Sequence, residues 1–423
     1  MGTRRLDGAH RPAALPAAAS GFRVRGPVTT FSIGFLGCKV SQTDAHEIRE
    51  RLLADGHVEG RGADVAVVNT CCVTHEAVRK SRHAVARAAR SHKRVFATGC
   101  AANLATEAFT GLPDNVTVVA RRSEETPAAV AGDVGAIACV SGEARLDRVR
   151  AFVKVQDGCS FSCNFCVIPL VRGPSRSRAA EAVLREVRKR VEQGHREVVP
   201  TGINLGCYRD RAAGYDLPRL VRDVGETPGL VRLRLSSIEV NHLSEQLIAA
   251  LRETPTVSRH LHVPLQSGDD GVLRDMARRY TLSTYLRRIA PLGHDFHLTT
   301  DVIVGFPTED ERAFERTLAA VEAAGITKVH VFPYSPRPGT ATAAADAVPP
   351  QVKKERSAQL RTYSDAACLA RWRTKIGRED TVLVDRPGRG YGDDYCPWRV
   401  EGRIGSFVRV RGAAVTEEGI LAA

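Results

Sequence analysis

The sequence predicts an α/β protein in three parts: an amino-terminal doubly wound α/β domain, a central partial (β/α) barrel and a small carboxyl-terminal all-β barrel. Three observations predict it. From Phe31 short apolar runs alternate with amphipathic helical ones, a second alternating series begins at a Cys-rich loop, and beyond Lys375 only short, glycine-punctuated strands remain. At 423 residues the chain exceeds one typical domain, and 43% hydrophobic with 26% charged residues suits two or three parts with sizeable cores. Eleven cysteines are too sparse for a secreted disulfide scaffold. A net charge of +13 would attract a polyanion, although cations scattered over solvated helix faces give the same total. There is no run of eighteen apolar residues, so no membrane span is expected.

Residues 1–30 are rich in Ala, Arg, Pro and Gly and lack hydrophobic periodicity. They read as a disordered leader without the apolar core of a secretory signal, and their prolines spoil the amphipathic helix of an organellar transit segment. A start codon assigned too far upstream is the alternative. Within residues 31–135, Phe31 to Phe35, Val65 to Asn69 and Arg94 to Thr98 read as strands, and Asp44 to Leu53 and Glu76 to Ala89 as the helices between them. In such a βαβαβ unit the loops at the carboxyl ends of the strands gather on one edge, where ligands sit. Each of those loops holds a cysteine: Cys38, Cys71 and Cys100. Three thiols far apart in sequence are therefore expected to converge on a second cluster site, although cysteine is also a common small packing residue. Cys72 follows Cys71 directly, so its side chain is expected to point elsewhere and pack.

After a connecting stretch from Glu124 to Arg150, residues 145–372 repeat strand and helix. The strand Ala151 to Val155 leads into Cys159, Cys163 and Cys166, a CxxxCxxC with Phe165 before the last cysteine. An electron-transfer [4Fe–4S] cluster is closed by four thiolates, whereas this loop supplies three and leaves one iron open to a substrate. Zinc is the alternative, but it favours paired knuckles, and no matching second pair is present. Val183, Leu184, Val187 and Val191 mark one helix face stopped by Gly194. Strands follow from Glu197, at Leu233 to Ser237, at His262 to Gln266 and at Asp301 to Gly305. Such alternation puts the chemistry at the carboxyl ends of the strands. Tyr334 to Thr340 is a proline- and glycine-stiffened loop, and Leu360 to Lys375 a helix and linker. In residues 376–423, Thr381 to Val384, Tyr395 to Val400 and Ser406 to Val410 read as barrel strands. Arg386, Arg389, Arg399, Arg403, Arg409 and Arg411, near Tyr391, Tyr395 and Trp398, offer phosphate contacts and stacking surfaces for RNA, or a core with a solvated face.

The CxxxCxxC loop after Val153-Lys154-Val155-Gln156-Asp157-Gly158 resembles the radical S-adenosylmethionine (SAM) superfamily. With Gly37-Cys38-Lys39-Val40, Asn69-Thr70-Cys71-Cys72-Val73-Thr74 and Gly99-Cys100-Ala101 ahead of it, the chain from Phe31 onward is similar to the methylthiotransferases, nearest the branch that modifies threonylcarbamoyladenosine in tRNA. Ser41, where that branch usually has Asn, is a departure. The resemblance implies a radical SAM barrel and a TRAM-like RNA-binding barrel. It implies two [4Fe–4S] clusters, one on Cys159, Cys163 and Cys166 and one on Cys38, Cys71 and Cys100, with SAM held by Thr201, Gly202, Asn204, Ser237, Gln266 and the Val304-Gly305 segment. These polar residues also serve as ordinary strand ends.

The implied reaction is addition of a methylthio group to carbon 2 of the modified adenine next to the anticodon. That carbon–hydrogen bond has no acidic proton or leaving group, so radical chemistry carried by the cofactors replaces side-chain acid–base catalysis. The tRNA anticodon loop is the expected partner, a flavodoxin or ferredoxin the expected electron donor, and the reducing cytoplasm the expected location. Three alternatives stand beside this: a methylthiotransferase for isopentenyladenosine or for a ribosomal-protein aspartate, a single-cluster radical SAM enzyme, and a non-catalytic iron–sulfur RNA-binding protein. Cys139, Cys207, Cys368 and Cys396 lack ligand-like spacing and read as packing residues or free thiols, with Cys207 closest to the Thr201-Gly202 segment.

Overall fold

The computed structural model describes residues 29–104, 106–122, 124–135 and 149–423. Residues 1–28 of the leader, residues 136–148 of the connecting stretch and with them Cys139 lie outside the described residues. The amino-terminal domain comprises β1 (Thr30–Phe35), α1 (Lys39–Ala54), β2 (Val58–Glu59), β3 (Val65–Thr70), α2 (His75–Ala89), β4 (Arg94–Gly99), α3 (Cys100–Leu104), β5 (Val116–Val118) and α4 (Thr126–Val134). All its strand pairs are parallel, in the order β2-β1-β3-β4-β5. The order reverses between β1 and β3, which is the crevice where doubly wound sheets hold ligands. β3 is buried on both faces, with Val65 and Val67 packing under α1 and α4 and Ala66 and Val68 toward α2. The first helix begins five residues earlier than its apolar pattern shows, because Cys38 is already its N-cap.

The central domain runs β6 (Arg150–Lys154), β7 (Gln156–Asp157), α5 (Ile168–Arg172), β8 (Arg176–Ser177), α6 (Ala180–Glu192), β9 (Glu197–Thr201), β10 (Arg209–Asp210), β11 (Tyr215–Asp216), α7 (Leu217–Gly225), β12 (Arg232–Leu233), α8 (Glu245–Glu253), β13 (His260–His262), α9 (Asp270–Asp275), α10 (Leu282–Ile289), β14 (His297–Val304), α11 (Glu311–Ala323), β15 (Lys328–Pro333) and α12 (Pro350–Arg373). Two three-stranded parallel sheets, β6-β9-β12 and β13-β14-β15, are stitched by parallel bridges at Leu233↔Val257 and Ser237↔His262. The result is an open, six-stranded partial barrel. Strand alternation sends Val153, Val198, Leu233, Leu261 and Val302 outward into the helix-covered core. The opposite parity points inward and, apart from Phe152, Val199 and Ile303, is polar: Lys154, Thr201, Arg234, Ser236, His260, His262, Thr299 and Asp301.

A closed five-stranded barrel completes the chain, with β16 (Glu379–Arg386), β17 (Arg389–Tyr391), β18 (Pro397–Arg399), β19 (Phe407–Thr416) and β20 (Gly419–Ala422) in the order β16-β17-β18-β20-β19. The sequence pattern shows neither β17 nor β20, both short and glycine-bearing. Trp398 is 1% exposed at the centre of this barrel, so it is a core residue and not a stacking surface. Its neighbour Tyr395 turns instead toward the central domain, where Arg150 Nη1 donates to the Tyr395 hydroxyl at 2.9 Å. Arg389 and Arg399 share Glu418, and Arg409 and Arg411 share Glu379; Arg386 and Arg403 are exposed and have no such partner among the described residues.

The barrels are locked together by charge. Glu197, 1% exposed, pairs with Arg234 at 3.1 Å and Arg232 at 3.4 Å, while those guanidinium groups donate to the carbonyls of Tyr391, Gly392 and Thr381. Truncating one partner of a buried ion pair strands the other. Glu197→Ala is therefore expected to cost ~3–5 kcal/mol, read as a lowered urea midpoint with loss of the docked carboxyl-terminal barrel to limited proteolysis.

Candidate functional site

Cys38, Cys71 and Cys100 follow β1, β3 and β4, and the fold brings their loops together. A Cβ on Gly37, which has φ +118°, would lie 3.3 Å from Cys71 Sγ, so only glycine lets the first two loops approach. Gly99 is tighter still: at φ +90° an added Cβ would lie 1.9 Å from Asn69 Oδ1. Cys71 lies in the electrostatic reach of both Cys100 and Cys38. Cys72 is wholly buried in the α2-side core and faces Cys100, closer to the thiol trio than its sequence position suggests.

The second trio sits on the loop after β7. Gly158, at φ +68°, lies so close to Pro174 that a Cβ would fall 2.1 Å from its carbonyl oxygen. The loop is shaped by its own sulfurs: Phe161 N–H donates to Cys159 Sγ at 3.4 Å, and Arg278 Nη1 donates to Cys163 Sγ at 3.4 Å. Burial pushes the Cys71 thiol up to about 11 and the Cys166 thiol up to about 12. Thiolates at these places need a cationic group such as iron beside them. Cys100 moves the other way, drawn below the ordinary thiol range by a hydrogen bond from Cys72 and by the Arg172 guanidinium.

Arg172 connects the two trios. It is 5% exposed, and it donates to Cys100 Sγ (3.2 Å), to Asp44 on α1 (2.8 Å) and to Asp157 at the base of the CxxxCxxC loop (3.0 Å). Lys154 adds a parallel tie to Asp44 at 2.8 Å and to Glu47 at 2.6 Å. Among the described residues, the one trio of His, Cys, Asp or Glu whose ligating atoms all lie within 4.8 Å is His297, Asp394 and Cys396. That trio is a structural knot, since Asp394 is paired with Arg371 and Lys375 and both His297 nitrogens are hydrogen-bonded. The two cysteine trios are too open for the shell of one ion, which suits a polynuclear cluster.

The residues read from the sequence as a SAM pocket are mostly gathered at the carboxyl ends of the barrel strands. Gln156 organises them: its Oε1 accepts the Asn204 N–H at 2.8 Å, its Nε2 donates to the Gly158 carbonyl at 2.7 Å, and a Cβ on Gly202 would meet its Oε1 at 2.8 Å. Thr201 is fully buried at the end of β9, and Ser237 is half-buried where it bridges His262. Gln266 holds φ +67°, a strained conformation for a non-glycine residue and one that clusters at functional sites. The Asn204 Oδ1 and Ser236 Oγ atoms are buried without a partner, as the cradle of a polar ligand would be.

Val304 departs from the expectation. Its side chain is fully buried in the helix-facing core and its carbonyl accepts from Tyr334 N–H at 2.8 Å, because alternation gives the inward face to Ile303. Gly305, at φ +71°, makes room for Lys353 and donates to Glu309 at 2.7 Å. Cys207 Sγ lies 3.4 Å from His242 Nε2 near Cys159, Cys368 packs against the Thr327 carbonyl, and Cys396 is barrel core. Arg172, Arg278 and Gln156 carry the site yet have no chemistry-bearing spacing; only Gln156 falls inside a motif visible in the sequence.

Comparison with known proteins agrees with this geometry. The Radical SAM superfamily model matches residues 153–321, and the model described as Uncharacterized protein family UPF0004 matches residues 30–120. The fold is similar to that of a radical S-adenosylmethionine methyltransferase, TsrM from Kitasatospora setae, with a TM-score of 0.57 at 13% identity over 74% of this chain and 75% of that one. The fold and site are those of a radical SAM enzyme. The chain is 33% identical to the threonylcarbamoyladenosine tRNA methylthiotransferase MtaB of Thermotoga maritima, over 93% of this chain and 96% of the relative. It is also 33% identical to the tRNA-2-methylthio-N(6)-dimethylallyladenosine synthase of Desulfitobacterium hafniense, over 84% of this chain and 86% of the relative. The chain belongs to the radical SAM methylthiotransferases, which use SAM and two iron–sulfur clusters.

Gly99→Ala is expected to push the Cys100 loop off the Asn69-Thr70 backbone. Iron per chain after anaerobic reconstitution is then expected to fall by about half, with the CxxxCxxC site retained.

Proposed function

We propose that this chain adds a methylthio group to carbon 2 of N6-threonylcarbamoyladenosine next to the anticodon of tRNA. The observation that carries the reading is the pair of cysteine trios, one from each α/β domain, held across a single buried arginine. Cys159, Cys163 and Cys166 would hold one [4Fe–4S] cluster and Cys38, Cys71 and Cys100 the other, each leaving an iron without a protein ligand. Bound there, the clusters and SAM would supply the radical that opens the carbon–hydrogen bond and the methylthio group that replaces it. Thr201, Gly202, Asn204, Ser237, Gln266 and Gly305 would shape the SAM pocket, with the orphaned Asn204 Oδ1 as its unfilled acceptor. The protein's part is to orient the reacting groups and exclude water.

The exposed Arg386 and Arg403 would meet RNA phosphates, and the net charge of +13 would steer the polyanion. A flavodoxin or ferredoxin would deliver electrons, in the reducing cytoplasm that thiolate-ligated clusters require. No helix among the described residues is long and apolar enough to cross a membrane. Relatives named for dimethylallyladenosine at 33% identity make that base the second reading.

Two measurements test this. Iron content is expected at about eight per chain, falling to about four in the Cys159→Ala/Cys163→Ala/Cys166→Ala variant; about four falling to none would remove the amino-terminal cluster from the reading. Mass spectrometry of anticodon stem-loops carrying either base is expected to show the methylthio mass gain on threonylcarbamoyladenosine, and gain on the dimethylallyl base alone would assign the second reading.

A further inference from the structure

The inner face of the central barrel is largely polar where many barrels are filled with branched apolar side chains, and among the described residues its arginines are paired. Arg234 is paired with Glu197 (3.1 Å), Arg232 with Asp393 (3.4 Å), Arg150 with Asp385 (3.3 Å) and His262 with Asp301 (3.2 Å). The remaining cation is Lys39, contributed by the first turn of α1 immediately after Cys38. Lys39 is half-buried and lies within electrostatic reach of Tyr395, Arg234, Arg150, Glu197, His260 and His330, yet among the described residues it has no ion pair and no hydrogen bond. Glu197 is already engaged by Arg234 and Arg232, so Lys39 has no carboxylate of its own, which is costly for a half-buried ammonium.

Further groups around it lack partners. His260 is 5% exposed, bonds Thr299 Oγ1 through Nε2 at 3.1 Å, and leaves Nδ1 buried and unsatisfied. Ser236 is 4% exposed with Oγ unsatisfied. Tyr395 closes the chamber from the carboxyl-terminal barrel: its ring lies 5.0 Å from His260 and 4.5 Å from the Arg234 guanidinium, and its backbone holds φ +66°. Three domains thus build one chamber with an unpaired lysine and unused hydrogen-bonding atoms.

We propose that this chamber is the specificity pocket for the N6 substituent of the target adenine, and that Lys39 pairs with the carboxylate at the end of that substituent. The inference rests on the threonylcarbamoyl reading and deepens it. Carbon 2 and carbon 6, which bears N6, flank N1 of adenine, so a base presenting carbon 2 to the Cys38 loop directs its N6 substituent along the same edge, next to Lys39. A carboxylate and hydroxyl there would satisfy Lys39, His260 and Ser236 with charge-assisted hydrogen bonds. An isopentenyl group would leave all of them desolvated and unpaired, which is the arrangement that discriminates most strongly against a ligand lacking the polar group.

The test compares reconstituted holoenzyme on three anticodon stem-loop RNAs: one with threonylcarbamoyladenosine, one with its methyl ester, which keeps the shape and removes the charge, and one with isopentenyladenosine. Wild type is expected to bind the carboxylate RNA about tenfold to a hundredfold more tightly than the ester. Lys39→Met is expected to erase that ratio, and Lys39→Arg to keep part of it. Equal binding of carboxylate and ester RNAs by wild type overturns the proposal without any variant having to fold. Equal weakening of all three RNAs in Lys39→Met overturns it as well, and assigns Lys39 to a backbone phosphate. Methylthio transfer to the carboxylate and ester RNAs at equal efficiency sinks this inference but leaves the function standing, whereas transfer to neither threonylcarbamoyl RNA removes both.

Discussion

The structure depends on one buried cation. Arg172 is bonded to a thiol of the amino-terminal domain, to a carboxylate on its first helix and to the carboxylate that braces the CxxxCxxC loop. In a low-dielectric setting such bonds hold only when every partner is present, so the guanidinium makes the relative placement of the two cysteine trios nearly all-or-none. Its planar fork suits this role better than a lysine's single ammonium, because it meets three groups in different directions at once. Lys154 adds a second, shorter tie to Asp44 and Glu47 from the first barrel strand.

A second constraint comes from the barrel's incompleteness. Six strands do not close on themselves, so the inner face is bordered by the other two domains: α1 at one side and Tyr391 and Tyr395 at another. That explains why inward positions carry Arg, His, Thr and Asp where a closed eight-stranded barrel is packed with aliphatic side chains. It also explains the strain at Tyr395 and Gln266, two non-glycine residues with positive φ at opposite ends of the same inner space. The small carboxyl-terminal barrel accordingly has two faces, one gripped by Arg232 and Arg234 and one bearing the exposed arginines.

Much of the fold was legible because the signals are local. Strand and helix periods, glycine breaks and cysteines at strand ends each depend on a few neighbouring residues, and they located the sheet, the barrel and both thiol trios. Errors appeared where neighbours decide the outcome. Val304 looks like part of a pocket segment, but pairing with β15 and alternation along β14 give it to the core. Trp398 looks like a stacking platform, but barrel closure through β20 surrounds it. Helix α1 starts at Lys39, ahead of its apolar stripe, because Cys38 is its N-cap and its first turns are buried through polar residues, Ser41, Thr43 and Asp44, that carry no apolar signal.

The sequence by itself determined the architecture and the cysteine spacing, which depend on residue type and interval, and its resemblance to the methylthiotransferases pointed to the chemical class. Only the tertiary structure decided how the trios are joined, which inward residues are matched in charge, and that Lys39 is left without a partner. These are sums over side chains brought from positions more than a hundred residues apart in sequence, such as Asp44 to Arg172 and Arg150 to Tyr395. Charge balance in a buried space is a property of all the groups that share it, and no local pattern along the chain records that total.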